Sequence, residues 1–358
     1  MFKLNSIKLH AKELSFFYSS VFLRKLGSSL ISIFTPIYLF KNGYSMEDIF
    51  LFFIVLACSL IFFAFPVAKI ISNIGEKHAM LFSTIFEIGV YLGLVFLVNS
   101  PLIFLVPISM SLQMLLYNMS YHLVFTHQSH AQSRGREIST IGILVMIAGI
   151  VSPYLGGLIA TLNFKLLFII STVIIILSSA PLFLTRDTYE KVNFSSRSLF
   201  KKIRGKKLRG PVLSFISYGG ERIIDIIIWP IMIITLVGSL EKTGLIVSVT
   251  AGLSLLTFKL IGKFSDTFEN KKLIRIGTYL HSIGWFARIF VHNFLGILIV
   301  DTYKNIGLNV LHVPWAKKTY EIAMKNDYFE FIVLREIVFQ LSRICTLIIL
   351  IVIFSIGW

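Results

Sequence analysis

The chain has 358 residues, 56% of them hydrophobic and only 15% charged, with 33 phenylalanines and a mean hydropathy of +0.81. A soluble chain carries about 25% charged residues, so too few charges are present to cover a soluble surface. Its two cysteines, Cys58 and Cys345, sit inside apolar runs and exclude a disulfide-built secreted scaffold. The class that remains is an all-α integral membrane protein.

Spans of about 20 mostly apolar residues cross a bilayer as helices. Reading for such runs predicts eleven, at 14–40, 48–68, 78–98, 101–125, 138–160, 165–184, 211–238, 242–261, 273–291, 294–313 and 331–357. The segment from Met1 to Glu13 is polar and basic, and the run after it is too long for the apolar core of a signal peptide, so no cleaved signal is expected. Net charge of +16 would suit nucleic acid, but the location of the charge decides. With the N-terminus placed in the cytoplasm, 23 of the 34 Lys and Arg fall in cytoplasmic segments, three in external segments and eight within spans. That asymmetry follows the positive-inside rule. The basicity therefore reads as topology and attraction to anionic lipid, and no nucleic-acid partner is expected.

Residues 185–210, between spans 6 and 7, are polar and strongly basic. They read as a cytoplasmic linker between an N-terminal helical half, 1–184, and a C-terminal half, 211–358. An internal repeat supports the division. A shift of 194 places Pro36 on Pro230, Ser45 on Ser239, Glu47 on Glu241, Leu51 on Leu245 and Lys69 on Lys263. Shifts of 190 and 199 place His122 on His312 and Arg136-Glu137 on Arg335-Glu336, the change in shift falling across loops. Spans 7 to 11 match spans 1 to 5 as parallel repeats. Nothing matches span 6, because the sequence stops at Trp358, and a missing twelfth helix is expected rather than a natural eleven-helix chain.

Two copies of a loop motif follow spans 2 and 8. The second reads Gly262-Lys-Phe-Ser-Asp266-Thr267-Phe-Glu269-Asn-Lys271-Lys272, and the first, from Ala68 to His78, keeps Gly75 and Lys77 but has Ser72 in place of the acid. Span 5 adds Gly149-Ile-Val-Ser152-Pro153-Tyr-Leu-Gly156-Gly157. On these residues the chain resembles the major facilitator superfamily (MFS) of secondary transporters, whose motif A lies between helices 2 and 3 and between 8 and 9. The resemblance implies two pseudo-symmetric six-helix halves, of which eleven transmembrane helices are visible here. It also implies a gate in which Gly262 allows close helix approach and Asp266 caps a helix end near Arg335. Loop carboxylates are favoured at helix N-termini by free N–H groups and the macrodipole.

A charge in the bilayer centre costs about 2.5–3.5 kcal/mol even on lenient scales, so each needs a partner or a wet cavity. Span 7 carries Glu221, Arg222 and Asp225; span 10 carries Asp301, Lys304, Asn305, Asn309 and His312; span 1 has Arg24 and Lys25, span 3 has Glu87, and span 4 has Gln113, Asn118, Tyr121 and His122. In the superfamily helices 1, 4, 7 and 10 line the cavity, which is where most of these residues fall. The candidate substrate and coupling residues are Arg24, Asn118, Glu221, Arg222, Asp225, Asp301 and Lys304. Two acids to one Arg in span 7 predict an uncompensated carboxyl, whose burial disfavours its ionised form, as proton coupling requires. Asp301 with Lys304 also reads as a structural ion pair, Glu87 as a partner for Arg24, and Arg288, Arg335 and Arg343 as packing or snorkelling residues. His122, His127 and His130 are poorly spaced for a metal, and none is expected. No Walker-type glycine loop occurs, and neither a cofactor nor enzymatic activity is expected.

The resulting expectation is a multi-pass, monomeric transporter of the cell membrane with a cytoplasmic N-terminus. It moves a small solute by alternating access, coupled to a proton. The alternative is a transporter-derived receptor or scaffold that binds a lipid or protein without turnover.

Overall fold

The computed structural model describes residues 2–128, 134–185, 209–267, 269–324 and 328–356. Within these, side chains are described except at 2–12, 122, 126–128, 134–136, 138–139, 258–260, 262–267, 320, 324, 328–330 and 332. The described chain is helical from end to end. In order the helices are α1 (Phe2–Ile31), α2 (Phe34–Lys41), α3 (Met46–Ile74), α4 (Glu76–Leu97), α5 (Val106–Gln128), α6 (Arg134–Leu162) and α7 (Phe164–Phe183). After the linker come α8 (Arg209–Val237), α9 (Leu240–Thr267), α10 (Asn270–Ala287), α11 (Phe294–Met324) and α12 (Tyr328–Ser355). Short 3-10 turns at Pro101–Leu105 and Arg288–Phe290 precede α5 and follow α10.

Among the described residues eight helical stretches are long and apolar enough to cross a membrane: α3, α4, α5 with its 3-10 turn, α6, α7, α9, α11 and α12. Charges interrupt the other three long helices. These are Arg24 and Lys25 in α1, Glu221, Arg222 and Asp225 in α8, and Lys271, Lys272 and Arg275 in α10.

The predicted first span, 14–40, is two helices rather than one. Pro36 lacks an N–H, and its ring meets the carbonyl four residues back, at Ser32; the helix breaks there and restarts at Phe34. Prolines at 66, 153, 181, 230 and 314 lie inside helices without ending them. The run predicted at 294–313 continues as α11 to Met324. An apolar run ends at the lipid boundary, whereas a helix carries on through residues such as Lys317, Lys318 and Glu321 that suit it equally well.

Two turns are alike in local structure. Gly43 and Gly238 take positive φ of 87 and 71° after α2 and α8, a conformation open to glycine without steric cost. Ser45 then caps α3, its hydroxyl accepting from the Asp48 N–H within a capping box. Ser239 caps α9 in the same way, accepting from the Lys242 N–H at 3.3 Å.

Helices α1, α6 and α7 pack together, as do α3, α4 and α5; α10 packs on α11, α9 on α11, and α8 on α12. Two further contacts join the segments before and after the linker, α6 on α9 and α3 on α12, with α2 resting on α8. The largest buried cluster runs across these contacts and contains Phe34, Ile37 and Phe50 together with Ile227, Ile231 and Leu347. Large apolar side chains such as Phe62, Phe96 and Phe290 point outward, as a lipid-facing surface requires. With lipid outside as apolar as the interior, close packing is what holds helices together. A Cβ at Gly244 would collide with the Pro153 carbonyl oxygen, and one at Gly157 would lie 2.5 Å from the Leu240 carbonyl oxygen. Thus α6 and α9 touch backbone to backbone beside the α8–α9 turn.

Candidate functional site

Two buried polar clusters stand out, one on each side of the α6–α9 and α3–α12 contacts. The first is built by α1, α4 and α5. Arg24 is 3% exposed and its Nη2 lies 2.5 Å from Glu87 Oε2. Its Nη1 donates to Thr84 Oγ1 at 3.3 Å, and its guanidinium lies 4.0 Å above the Tyr117 ring. Glu87 also accepts from Tyr91 Oη at 2.9 Å and Gln113 Nε2 at 3.2 Å. This carboxylate is thus neutralised by a cation and bonded twice more, which is what a buried charge requires.

Beside that pair opens a cavity of about 510 Å³, lined by residues of α1, α2, α4, α5 and α6 that include Lys25, Ser28, Gln113, Asn118 and Tyr121. Lys25 and Asn118 are both exposed to it. The predicted site residues Arg24 and Asn118 therefore share one cavity. Lys25 is its third principal polar group, noted in the sequence but not selected there.

The second cluster is built by α8, α10, α11 and the 3-10 turn after α10. Its positioning depends on glycine. A Cβ at Gly284 would come within 2.6 Å of Lys304 Cβ, and one at Gly307 within 2.8 Å of the His281 N. The α10 and α11 backbones therefore touch at the level of the charges. Asp225 receives three cations: Arg222 Nη1 at 3.0 Å, Arg288 Nη1 at 2.8 Å and Lys304 Nζ at 2.7 Å. Arg288 Nη2 reaches Asp301 Oδ1 at 2.5 Å. Its guanidinium centre lies 3.7 Å from the Trp229 ring centroid and 4.4 Å from that of Trp285.

Glu221 has different company. Its Oε1 lies 3.2 Å from His281 Nε2 and accepts from Trp285 Nε1 at 3.1 Å, while that same indole nitrogen is 3.2 Å from His281 Nε2. The other imidazole nitrogen, Nδ1, is 3.3 Å from the Lys304 carbonyl oxygen. A carbonyl only accepts, so Nδ1 carries a hydrogen. Nε2 then either donates to the Glu221 oxygen or accepts from the Trp285 indole N–H, according to the protonation of the ring.

The family model for the Major Facilitator Superfamily matches residues 17–300. The chain belongs to the Major Facilitator Superfamily. No curated protein sequence matches it. Among solved structures 166 chains match. One is the crystal structure of a bacterial homolog of the human lysosomal transporter Spinster in an inward-facing and occupied conformation. It has 15% identity and a TM-score of 0.63, covering 93% of this chain and 78% of that one. At that identity the likeness is one of fold. This superfamily member is thus a helical, multi-pass membrane protein of a transporter family, and its helices carry both clusters.

Several expectations need correction against this geometry. Span 7 does not hold an uncompensated Asp225, because Arg288 arrives from the 3-10 turn after α10 and Lys304 from α11, and counting charges along one helix misses both. Arg288 is no snorkelling residue; it is 5% exposed and bridges two acids. Among the described residues Asp301 and Lys304 form no direct ion pair; they pair crosswise, with Arg288 and Asp225. The pairing of Glu87 with Arg24 is present. The span 10 polar stripe splits: Asn309 donates to the Ser254 carbonyl oxygen at 3.0 Å, and His312 stacks on Tyr218 and Trp315.

The side chains of Gly262 and Asp266 lie outside the described residues, as do those of His122, His127 and His130, and so does the proposed Asp266–Arg335 contact. Arg335 itself lies 5.7 Å from the Phe339 ring.

His281 and Trp285 were not selected from the sequence, yet the repeat contained the signal. A shift of 194 carries Glu87 to His281 and Tyr91 to Trp285. In α4 Glu87, bonded by Tyr91, holds Arg24, and in α10 His281 and Trp285, at the equivalent positions, hold Glu221.

Proposed function

We propose that the protein is a secondary active transporter that moves a small solute by alternating access between two rocking halves, driven by a proton gradient. Eleven membrane spans, a cytoplasmic N-terminus, a basic cytoplasmic linker at 185–210, residence in the cell membrane and action as a monomer complete the reading. The repeat, the family membership and the cavity between α1 and α5 support it. With the N-terminus inside, the backbone contact of α6 with α9 lies toward the external side, which accords with a state closed outward.

The observation that carries the coupling is the Glu221–His281 contact. Asp225 is held as a carboxylate by three cations, and losing that charge would strand them. Glu221 faces no Arg or Lys at ion-pair distance among the described residues. A proton on His281 Nε2 bridges the two, and once it leaves, Trp285 can donate to either partner. Moving that proton to water changes the local charge by one unit. Arg222, Asp225, Lys304 and Arg288 stand nearby on α8, α11 and the 3-10 turn to respond.

The test is uptake by purified protein in liposomes across a panel of radiolabelled solutes, with and without an imposed pH gradient. Gradient-driven accumulation is expected in the native chain. Glu221→Gln and His281→Gln should each abolish accumulation while sparing solute exchange, which moves no net proton. Undiminished pH-driven accumulation in both variants would end the coupling assignment. Absence of flux for every solute that binds would favour a receptor without turnover.

A further inference from the structure

We infer that the cavity beside Arg24 and Glu87 binds a small organic monoanion through its carboxylate, with Lys25 as the cation that selects it. The inference rests on the transport reading and deepens it to a substrate class.

The cavity, at about 510 Å³, suits a small molecule, since such sites run to roughly 300–1,000 Å³. Its charge balance is uneven. Arg24 and Lys25 face a single carboxylate, Glu87, among the cavity's lining residues. Glu87 is fully engaged by Arg24, Tyr91 and Gln113. Lys25 is therefore a surplus positive charge. Among the described residues it has no carboxylate at ion-pair distance, and its side chain is exposed on the cavity wall.

Asn118 is likewise exposed there and makes no hydrogen bond among the described residues. These two side chains leave one cation and one amide for a ligand. Each unspent donor on a cavity wall is a place where a ligand group gains more than a buried, satisfied one would. By contrast, each cation of the second cluster, Arg222, Arg288 and Lys304, already has a carboxylate, Asp225 or Asp301, at ion-pair distance. That cluster leaves no cation for a ligand without breaking an existing ion pair.

A single lysine also limits the anion. A phosphate monoester carries roughly −1.5 to −2 charges near neutral pH, and one ammonium would leave part of that charge uncompensated in a cavity walled by Met110, Met114 and Val145. A carboxylate matches Lys25 one for one. Asn118 then serves a hydroxyl or carbonyl on the body of the ligand, with the apolar wall against its carbon skeleton.

The experiment is thermal stabilisation of the full chain in detergent by matched sets of small solutes: monocarboxylates, their neutral amides, the corresponding amines and the corresponding phosphate monoesters. At least one carboxylate should stabilise the protein while its amide and amine do not. Lys25→Gln should weaken that binding roughly tenfold to a hundredfold, as loss of a charge-assisted bond does. Lys25→Arg should retain most of it, and Asn118→Ala should weaken it less. Stabilisation confined to amides or amines, tighter binding of phosphate esters than of carboxylates, no stabilisation by any carboxylate, or unchanged binding in Lys25→Gln would each overturn the inference. Liposome uptake separates this from failure of the transport reading. Carboxylate binding without flux retains the site and removes transport; flux of neutral or cationic solutes alone retains transport and removes the site.

Discussion

Arg288 is the residue whose removal should cost the most, and the structure sets the scale. Arg288→Gln keeps most of the side-chain volume but removes the charge that joins Asp225 and Asp301. Asp225 would keep Arg222 and Lys304. Asp301, 5% exposed, would keep no cation at ion-pair distance among the described residues. Breaking a buried pair by deleting one partner costs about 3–5 kcal/mol, because the other charge stays buried alone. Loss of the stacked contacts with Trp229 and Trp285 adds about 1–2 kcal/mol at such a desolvated position. Reversible SDS unfolding in mixed micelles measures the sum, and a double-mutant cycle isolates its main part. Asp301→Asn in the Arg288→Gln background removes the stranded charge, so the double variant should be more stable than Arg288→Gln alone. A coupling energy of about 2 kcal/mol or more is expected. If the two losses add to within about 0.5 kcal/mol, Arg288 and Asp301 do not act as a buried pair, and the account of this cluster is wrong.

Gly244→Ala should loosen the α6–α9 contact, because its Cβ would collide with the Pro153 carbonyl oxygen. About 1–3 kcal/mol of lost stability is expected from such overpacking, whereas Gly252→Ala in the same helix, where a Cβ meets only Ile150 Cγ2 at 3.8 Å, should be close to neutral. Equal melting temperatures for the two variants would refute the contact. For topology, impermeant maleimide applied to intact cells should label Asn99→Cys and leave Ser196→Cys unlabelled; the reverse pattern would invert the orientation drawn from the basic residues.

How much of this was legible in the sequence differs by physical cause. Helix content was readable because membrane burial demands long apolar runs, and among the described residues each predicted run lies mostly on helix, the first on two. The break before Phe34 was readable in principle from Pro36, but apolar runs do not register prolines, and Pro66, Pro153 and Pro230 sit in unbroken helices. Charged positions were found because a charge among apolar residues is conspicuous. Glu87 was legible as the partner of Arg24, but most other partners were not, because a partner can stand far away in the chain, as His281 does from Glu221. His281 and Trp285 lie in α10, a helix whose polarity made it look ordinary, and only the repeat singles them out.

The exchange of residues across that repeat explains why the two clusters suit different tasks. In α4 the residue at the shared position is an acid, Glu87, and it meets a guanidinium, Arg24, in a buried ion pair. Its stability frees Lys25, one position along α1, to face the cavity. In α10 the shared position holds His281, and it meets Glu221 rather than an arginine. Imidazole and carboxyl are both groups that can take up and release a proton, which a guanidinium is not. On the proposed reading, a repeat that kept its geometry and swapped its residues yields one fixed cluster beside an anion-binding cavity and one titratable cluster beside a network of three cations. Replacing Glu87 by Gln should therefore disturb carboxylate binding through a released Arg24, whereas replacing His281 should leave carboxylate binding intact and remove its pH-driven accumulation.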